Sequence, residues 1–162
     1  ADALLFLTLL NSRRAEVLIE PHIQVASIIR QSGIETIPMG YILVDGDRQS
    51  AVERVSGCTP IAHQAVADVV SHAVAGQLLG KQLIYIEAGS GAKTPVSIDT
   101  IRAVRQAIDL PLIVGGGVTS EEQMLAAFSA GANIVVIGNH FEQHPEDLPR
   151  FLQAKESYVH TN

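Results

Sequence analysis

Residues 83–91, Leu83-Ile84-Tyr85-Ile86-Glu87-Ala88-Gly89-Ser90-Gly91, run from five strand-forming positions directly into a glycine-rich turn. The strand part shows little apolar–polar alternation, which suits a strand covered on both faces, as in a parallel sheet. Tyr85 and Glu87 are two residues apart and so share one face, while Ile86 points to the other. A carboxylate thus sits at the C-terminal end of a buried strand, where barrel enzymes carry their active sites.

Four more apolar runs flank this one: Leu4–Leu10, Thr36–Val44, Leu112–Gly115 and Ile134–Gly138. Between the runs lie helical patterns. Ile23, Ile28 and Ile29 mark one apolar stretch that ends near Gly33. Val66, Val69, Val70, Ala73 and Val74 mark another, with Asp68, Ser71 and His72 turned away. Ile98, Ile101, Val104 and Ile108 repeat in the same way. Ser120 with Gln123 reads as a capping box and Gly131 as its helix stop, and Pro145 opens a last helix. Asp45–Pro60 reads as the one long irregular connection.

Strand–helix alternation of this kind predicts an α/β fold with parallel strands. A complete (β/α)8 barrel takes about 250 residues, or about 31 per unit, so five units need about 155. The chain has 162 residues. Length therefore fits a single TIM-barrel domain of which residues 1–162 cover five consecutive units, and on length alone it also fits an open five-stranded sheet. Five of eight strands would leave unpaired edges on the Leu4–Leu10 and Ile134–Gly138 strands, and these would favour self-association into a homo-oligomer.

Composition narrows the function classes. Hydrophobic residues make up 47% and charged residues 17%, which excludes a disordered chain. Eleven Lys and Arg against 17 Asp and Glu give a formal net charge of −6, and there is no basic run, so no nucleic-acid partner is expected. No apolar run approaches the roughly 20 residues of a transmembrane segment. One cysteine, Cys58, excludes an internal disulfide framework and fits a reducing, cytoplasmic location.

The chemistry is concentrated in three strand ends. Glu87, held among apolar strands, should be partly desolvated and therefore more basic. The Ala88-Gly89-Ser90-Gly91 turn offers N–H groups and a hydroxyl without bulk, which suits an anion. Val114-Gly115-Gly116-Gly117 and Ile137-Gly138-Asn139 end the next two strands and lead toward helix starts, the arrangement that binds phosphate in barrels. The plainer alternatives are a structural glutamate and turns shaped by geometry alone. His140, Glu142 and His144 lie close together but lack the spacing of a known metal motif, so surface or capping roles are expected. Cys58 has no evident histidine partner and reads as a loop residue. Tyr41 fits either a substrate channel or the core.

The order Tyr85-Ile86-Glu87-Ala88-Gly89-Ser90-Gly91-Ala92, then Pro111-Leu112-Ile113-Val114-Gly115-Gly116-Gly117, then Val135-Val136-Ile137-Gly138-Asn139 resembles the geranylgeranylglyceryl phosphate synthase family. Ala1–Ser12 and Gly40–Gly46 resemble it too. The Ala-Gly-Ser-Gly turn differs from that of the related bacterial heptaprenylglyceryl phosphate synthases. The resemblance implies a TIM barrel that transfers a geranylgeranyl group from its diphosphate to the C3 hydroxyl of sn-glycerol 1-phosphate, in ether-lipid synthesis. It implies Glu87 as catalytic base, and Tyr85, Glu87, Ala88, Gly89, Ser90 and Gly91 as residues that hold the glycerol phosphate. Gly116, Gly117, Gly138 and Asn139 would complete its phosphate cup. By the same resemblance the opening segment matches the fourth barrel strand. Three upstream units, with the acidic residue that binds Mg2+ of the prenyl diphosphate, then have no counterpart in residues 1–162. Two other readings stand beside this one: another phosphate-binding barrel enzyme, an isomerase or lyase using Glu87, or a non-catalytic half-barrel.

Overall fold

The apolar runs become β1 (Ala3–Leu9), β2 (Glu35–Leu43), β3 (Leu83–Glu87), β4 (Leu112–Gly115) and β5 (Ile134–Val136) in a computed structural model that describes residues 1–161. They form one sheet in the order β1-β2-β3-β4-β5, every pair parallel. A doubly wound sheet reverses its strand order at a switch point, and this one does not. Right-handed crossovers taken always in the same direction put the connecting helices on one face, and Val17, Val52 and Cys58 pack on the other.

The helices are α1 (Ala15–Leu18), α2 (Glu20–Ser32), α3 (Ala51–Ser56), α4 (Val66–Leu78), α5 (Ile98–Ala107), α6 (Glu121–Ser129), α7 (Asn139–Gln143) and α8 (Leu148–Thr161), with a 3-10 turn at Pro145–Asp147. The apolar stripes of α4, α5 and α6 contribute Val69, Ala73, Ile101, Val104 and Ala127, which pack on Ile42, Ile84, Ile86, Leu112 and Val114. The opposite sheet face carries Met39, Tyr41, Leu43, Leu83 and Ile113. The alternation along β3 therefore separates a helix-side row, Ile84 and Ile86, from a second row in which Glu87 lies with Leu83 and Tyr85.

Local capping follows the sequence. Ser97 Oγ accepts from Thr100 N at the start of α5, and Ser120 Oγ accepts from Gln123 N at the start of α6. The Gln123 carboxamide oxygen takes Thr119 N rather than Ser120 N, so the box closes one residue earlier than expected.

Four expectations need correction. Asp45–Pro60 is not irregular throughout, because it contains α3, capped by Ser50 Oγ on Glu53 N and closed by Gly57. The apolar residues of α2 are not buried: Ile23 is 66% and Ile28 69% exposed, and α2 has no buried residue. Coverage on both faces fails for β1 and β5, where Leu4, Leu5, Leu7, Ile134 and Val136 are exposed. Each of these strands pairs with a single strand among the described residues, and on β1 the outer side is met by His22 of α2, whose ring contacts Phe6 and the Leu7 carbonyl. Finally, β5 stops at Val136, since Gly138 turns the chain into α7.

Ile86 is fully buried between the sheet and its helices. Ile86→Ala should cost about 2–5 kcal/mol through lost transfer energy and a residual cavity. Ile28→Ala, at an exposed position, should stay within about 0.5 kcal/mol. Equilibrium urea unfolding of the two variants measures both.

Candidate functional site

The C-terminal ends of β2 to β5 open onto a cavity of about 700 Å³ lined by Tyr41, Tyr85 and Glu87 below, and by Ser90, Gly91, Gly116, Gly117, Gly138 and Asn139 around it. Strand register builds its floor. Leu43, Glu87, Gly115 and Val136 lie side by side across four strands, with Tyr41, Tyr85 and Ile113 in the row beneath. A parallel sheet in register thus delivers the strand-end carboxylate next to a glycine, and the glycine makes room for it. A Cβ on Gly115 would stand 2.5 Å from Tyr85 Oη and 2.7 Å from Glu87 Oε2. One on Gly116 would stand 2.7 Å from Glu87 Oε1, and Gly116 also has a φ of +84°, which disfavours other residues.

Glu87 is only 8% exposed. Its Oε1 accepts from Gly89 N at 3.0 Å, and the Tyr85 side chain hydrogen-bonds the carboxylate as well. Burial raises the Glu87 pKa above the ordinary glutamate value, and the bonds from Tyr85 and Gly89 oppose that rise. Tyr85 is pushed well above the phenol range by burial and then by the Glu87 charge, so it stays a neutral donor. Tyr41 is pushed up by the same two causes and meets Tyr85 edge to face at 5.1 Å. Tyr41 therefore belongs to both environments: it is buried with the core and its ring lines the cavity.

The walls are rich in open donors. Among the described residues, no acceptor meets the main-chain N–H groups of Ser90, Gly91, Gly116, Gly117, Gly138 or Asn139. Open N–H groups set around a cavity are an arrangement that suits an anion. Ser90 Oγ donates to Asn139 Oδ1 at 2.8 Å and ties the turn after β3 to the loop after β5. Ala88 and Gly89 stand apart from the cavity lining, since Ala88 N donates to Gly115 O at 3.0 Å and Gly89 N to Glu87. Their part is to shape the turn that holds Glu87.

His140 Nε2 pairs with Asp147 Oδ2 at 2.9 Å, and His144 faces Glu146. No group of three His, Cys, Asp or Glu side chains among the described residues could hold a metal ion. Cys58 is buried and unpaired, with Sγ near Thr59 O. Arg48, His140, Gln143 and His144 also line the cavity. Their place on loops and a short helix gives no periodic signal, although His140 and His144 each lie within six residues of the Gly138 turn.

The PcrB family model matches residues 1–155. A geranylgeranylglyceryl phosphate synthase of Spirosoma linguale is 45% identical over 158 residues, which is 98% of this chain and 64% of that protein. One from Korarchaeum cryptofilum is 38% identical over 97% of this chain and 64% of its own length. Among solved structures, the enzyme of Thermoplasma volcanium superposes over all of this chain and 64% of its own, with TM-score 0.88 and 34% identity. The (S)-3-O-geranylgeranylglyceryl phosphate synthase of Thermoplasma acidophilum, solved with its substrate sn-glycerol-1-phosphate, superposes over 86% of this chain and 56% of its own, with TM-score 0.82 and 36% identity. The chain thus spans a little under two thirds of the length of these relatives.

The raised Glu87 pKa ties the site to stability. Between the ordinary glutamate value and the raised one, the folded state binds more protons than the unfolded state, so stability falls as pH rises through that window. The contribution is complete below the ordinary value and lost above the folded one. Glu87→Gln removes this loss, and its melting temperature relative to the parent should climb as pH goes from 4 to 8. Paired thermal melts across that range check the sign, and a flat or falling difference would contradict it.

Proposed function

The chain belongs to the PcrB family, and we propose that it forms the glycerol-phosphate half of a prenyltransferase site that makes an ether-lipid precursor. In this reading β1 to β5 are the last five strands of a (β/α)8 barrel. The edges of β1 and β5 then pair with the strands that close it, and the sheet face that carries Tyr41, Tyr85 and Glu87 becomes the barrel interior. The likeness to longer relatives of that fold supports this. The observation that carries the functional reading is the placing of Glu87: a buried, more basic carboxylate at the floor of a cavity ringed by open N–H donors.

The phosphate of sn-glycerol 1-phosphate is held by the N–H groups of Gly116, Gly117, Gly138 and Asn139, with Ser90 and Gly91 beside it. Such donors are fixed before the ligand arrives and suit an anion without a large positive patch. With the phosphate there, the glycerol chain reaches down toward Tyr85 and Glu87. Glu87 accepts the proton of the C3 hydroxyl as that oxygen bonds to C1 of the prenyl chain. The C1–O bond to the diphosphate breaks, and its electron pair leaves with the diphosphate. Tyr85 keeps the carboxylate oriented toward the hydroxyl, and Gly89 N holds its other oxygen.

A magnesium ion on the diphosphate is implied by the family resemblance, but the described residues do not fit it, since no three ligating side chains converge. No step here runs through it. No helix among the described residues is long and apolar enough to cross a membrane. We assign the protein to the cytoplasm, a reading supported by the free thiol of Cys58.

Glu87→Gln, made in the protein as its gene encodes it, should keep sn-glycerol 1-phosphate binding by calorimetry while turnover falls about 10²-fold or more. Product is followed with radiolabelled geranylgeranyl diphosphate. Formation of the ether at near-normal rate would remove Glu87 from the role of base. Isomerisation or cleavage of the phosphate substrate, in place of ether formation, would favour the isomerase or lyase alternative.

A further inference from the structure

We propose that Arg48 binds a phosphoryl group of a substrate in this cavity and supplies the positive charge that the main-chain donors lack. The inference rests on the phosphate-binding reading above and adds a residue to it. Among the described residues lining the cavity, Arg48 is the one lysine or arginine. The one carboxyl group that lines the cavity with it is Glu87, and the chain as a whole carries a net −6. Main-chain N–H groups orient an anion but bring no net charge. A phosphate dianion lowered toward Glu87 therefore needs a cation, and Arg48 stands at the rim.

The loop fixes Arg48 in place. Asp47 N donates to Asp45 Oδ1 at 2.9 Å, and Lys93 N and Thr94 N donate to Gly46 O. Thr94 Oγ1 donates to Asp47 Oδ2. Asp47 itself has a φ of +58°, a conformation that aspartate tolerates better than most residues. These bonds clamp the loop after β2 to the segment after β3, and Arg48 emerges from the clamp across Gly91.

Its guanidinium is nearly unengaged. One nitrogen donates to Gly91 O at a long 3.4 Å, and no carboxylate among the described residues lies within ion-pair distance. Four of five N–H donors remain for a ligand, in a fork that matches two phosphate oxygens. Gly91 leads back through Ser90 to Asn139, so the guanidinium borders the same cup. The shared chemistry is a phosphoryl oxyanion, and its source is either sn-glycerol 1-phosphate or the prenyl diphosphate.

Arg48→Gln and Arg48→Lys, in the protein as its gene encodes it, test the charge. Glutamine, two bonds shorter, loses both the charge and the reach to Gly91 O; lysine keeps the charge. Arg48→Gln should raise KM for one of the two substrates about tenfold, with the loss falling on KM more than on kcat. Arg48→Lys should recover part of it, and the gap between parent and Arg48→Gln should narrow as salt rises. Whichever substrate shows the change is the one Arg48 binds. If both KM values stay at the parent level in Arg48→Gln, while its circular dichroism and melting temperature match the parent, the inference is overturned and the side chain serves only the Gly91 turn. Failure of the parent protein to bind either substrate would overturn the phosphate reading itself.

Discussion

One carboxylate, buried between a tyrosine hydroxyl and a main-chain N–H, sets the demands that the surrounding residues meet. Glu87 can be charged at the floor of an apolar sheet only if its oxygens find donors, and Gly89 N and Tyr85 provide them. Both bonds need the carboxylate pressed against β4, which is why Gly115 and Gly116 have no side chains to spare the space. In the Ala88–Gly91 turn that follows, the N–H groups of Ser90 and Gly91 have no main-chain acceptor, and both residues line the cavity. The proposed base and the proposed anion cup thus share one packing constraint.

The scaffold around this point is tied together at the strand ends. β3 lies at the centre of the sheet, with β2 and β4 in register on either side and α4 and α5 packed behind. The loops that rise from the strand ends are joined to one another by Ser90 with Asn139, and by Asp47 with Thr94. Such cross-links hold donors in position before a ligand arrives, which is what electrostatic stabilisation of a developing charge needs. The periphery is different in character. Leu4, Leu5 and Leu7 on β1, and Ile134 and Val136 on β5, expose apolar surface at the two sheet edges.

Much of this was legible in the residues themselves, because it depends on short-range rules. Period-2 geometry alone put Tyr85 and Glu87 on one face, and glycine after a buried strand announced a close approach at Gly115–Gly117. The order of strands and helices gave a parallel α/β sheet. What the chain order left hidden depends on tertiary partners. The isoleucines of α2 are as apolar as those of α5, and no local rule says that one set is covered and the other is not. Helix α3 had a readable signal in Ser50 and Glu53, masked by the surrounding turn residues. Ala88 and Gly89 looked like phosphate donors until the sheet engaged their N–H groups with Gly115 and Glu87. Arg48 is a single exposed arginine in a loop, and only the clamp between Gly46 and Thr94 brings it to the cavity.

The proposed cup and the proposed base act on one molecule. A crystal structure of the protein, as its gene encodes it, with sn-glycerol 1-phosphate tests this most directly. The phosphate should lie on the N–H groups of Gly116, Gly117, Gly138 and Asn139, with the C3 hydroxyl about 3 Å from a Glu87 oxygen. A phosphate seated elsewhere, or a C3 hydroxyl turned away from Glu87, would contradict it.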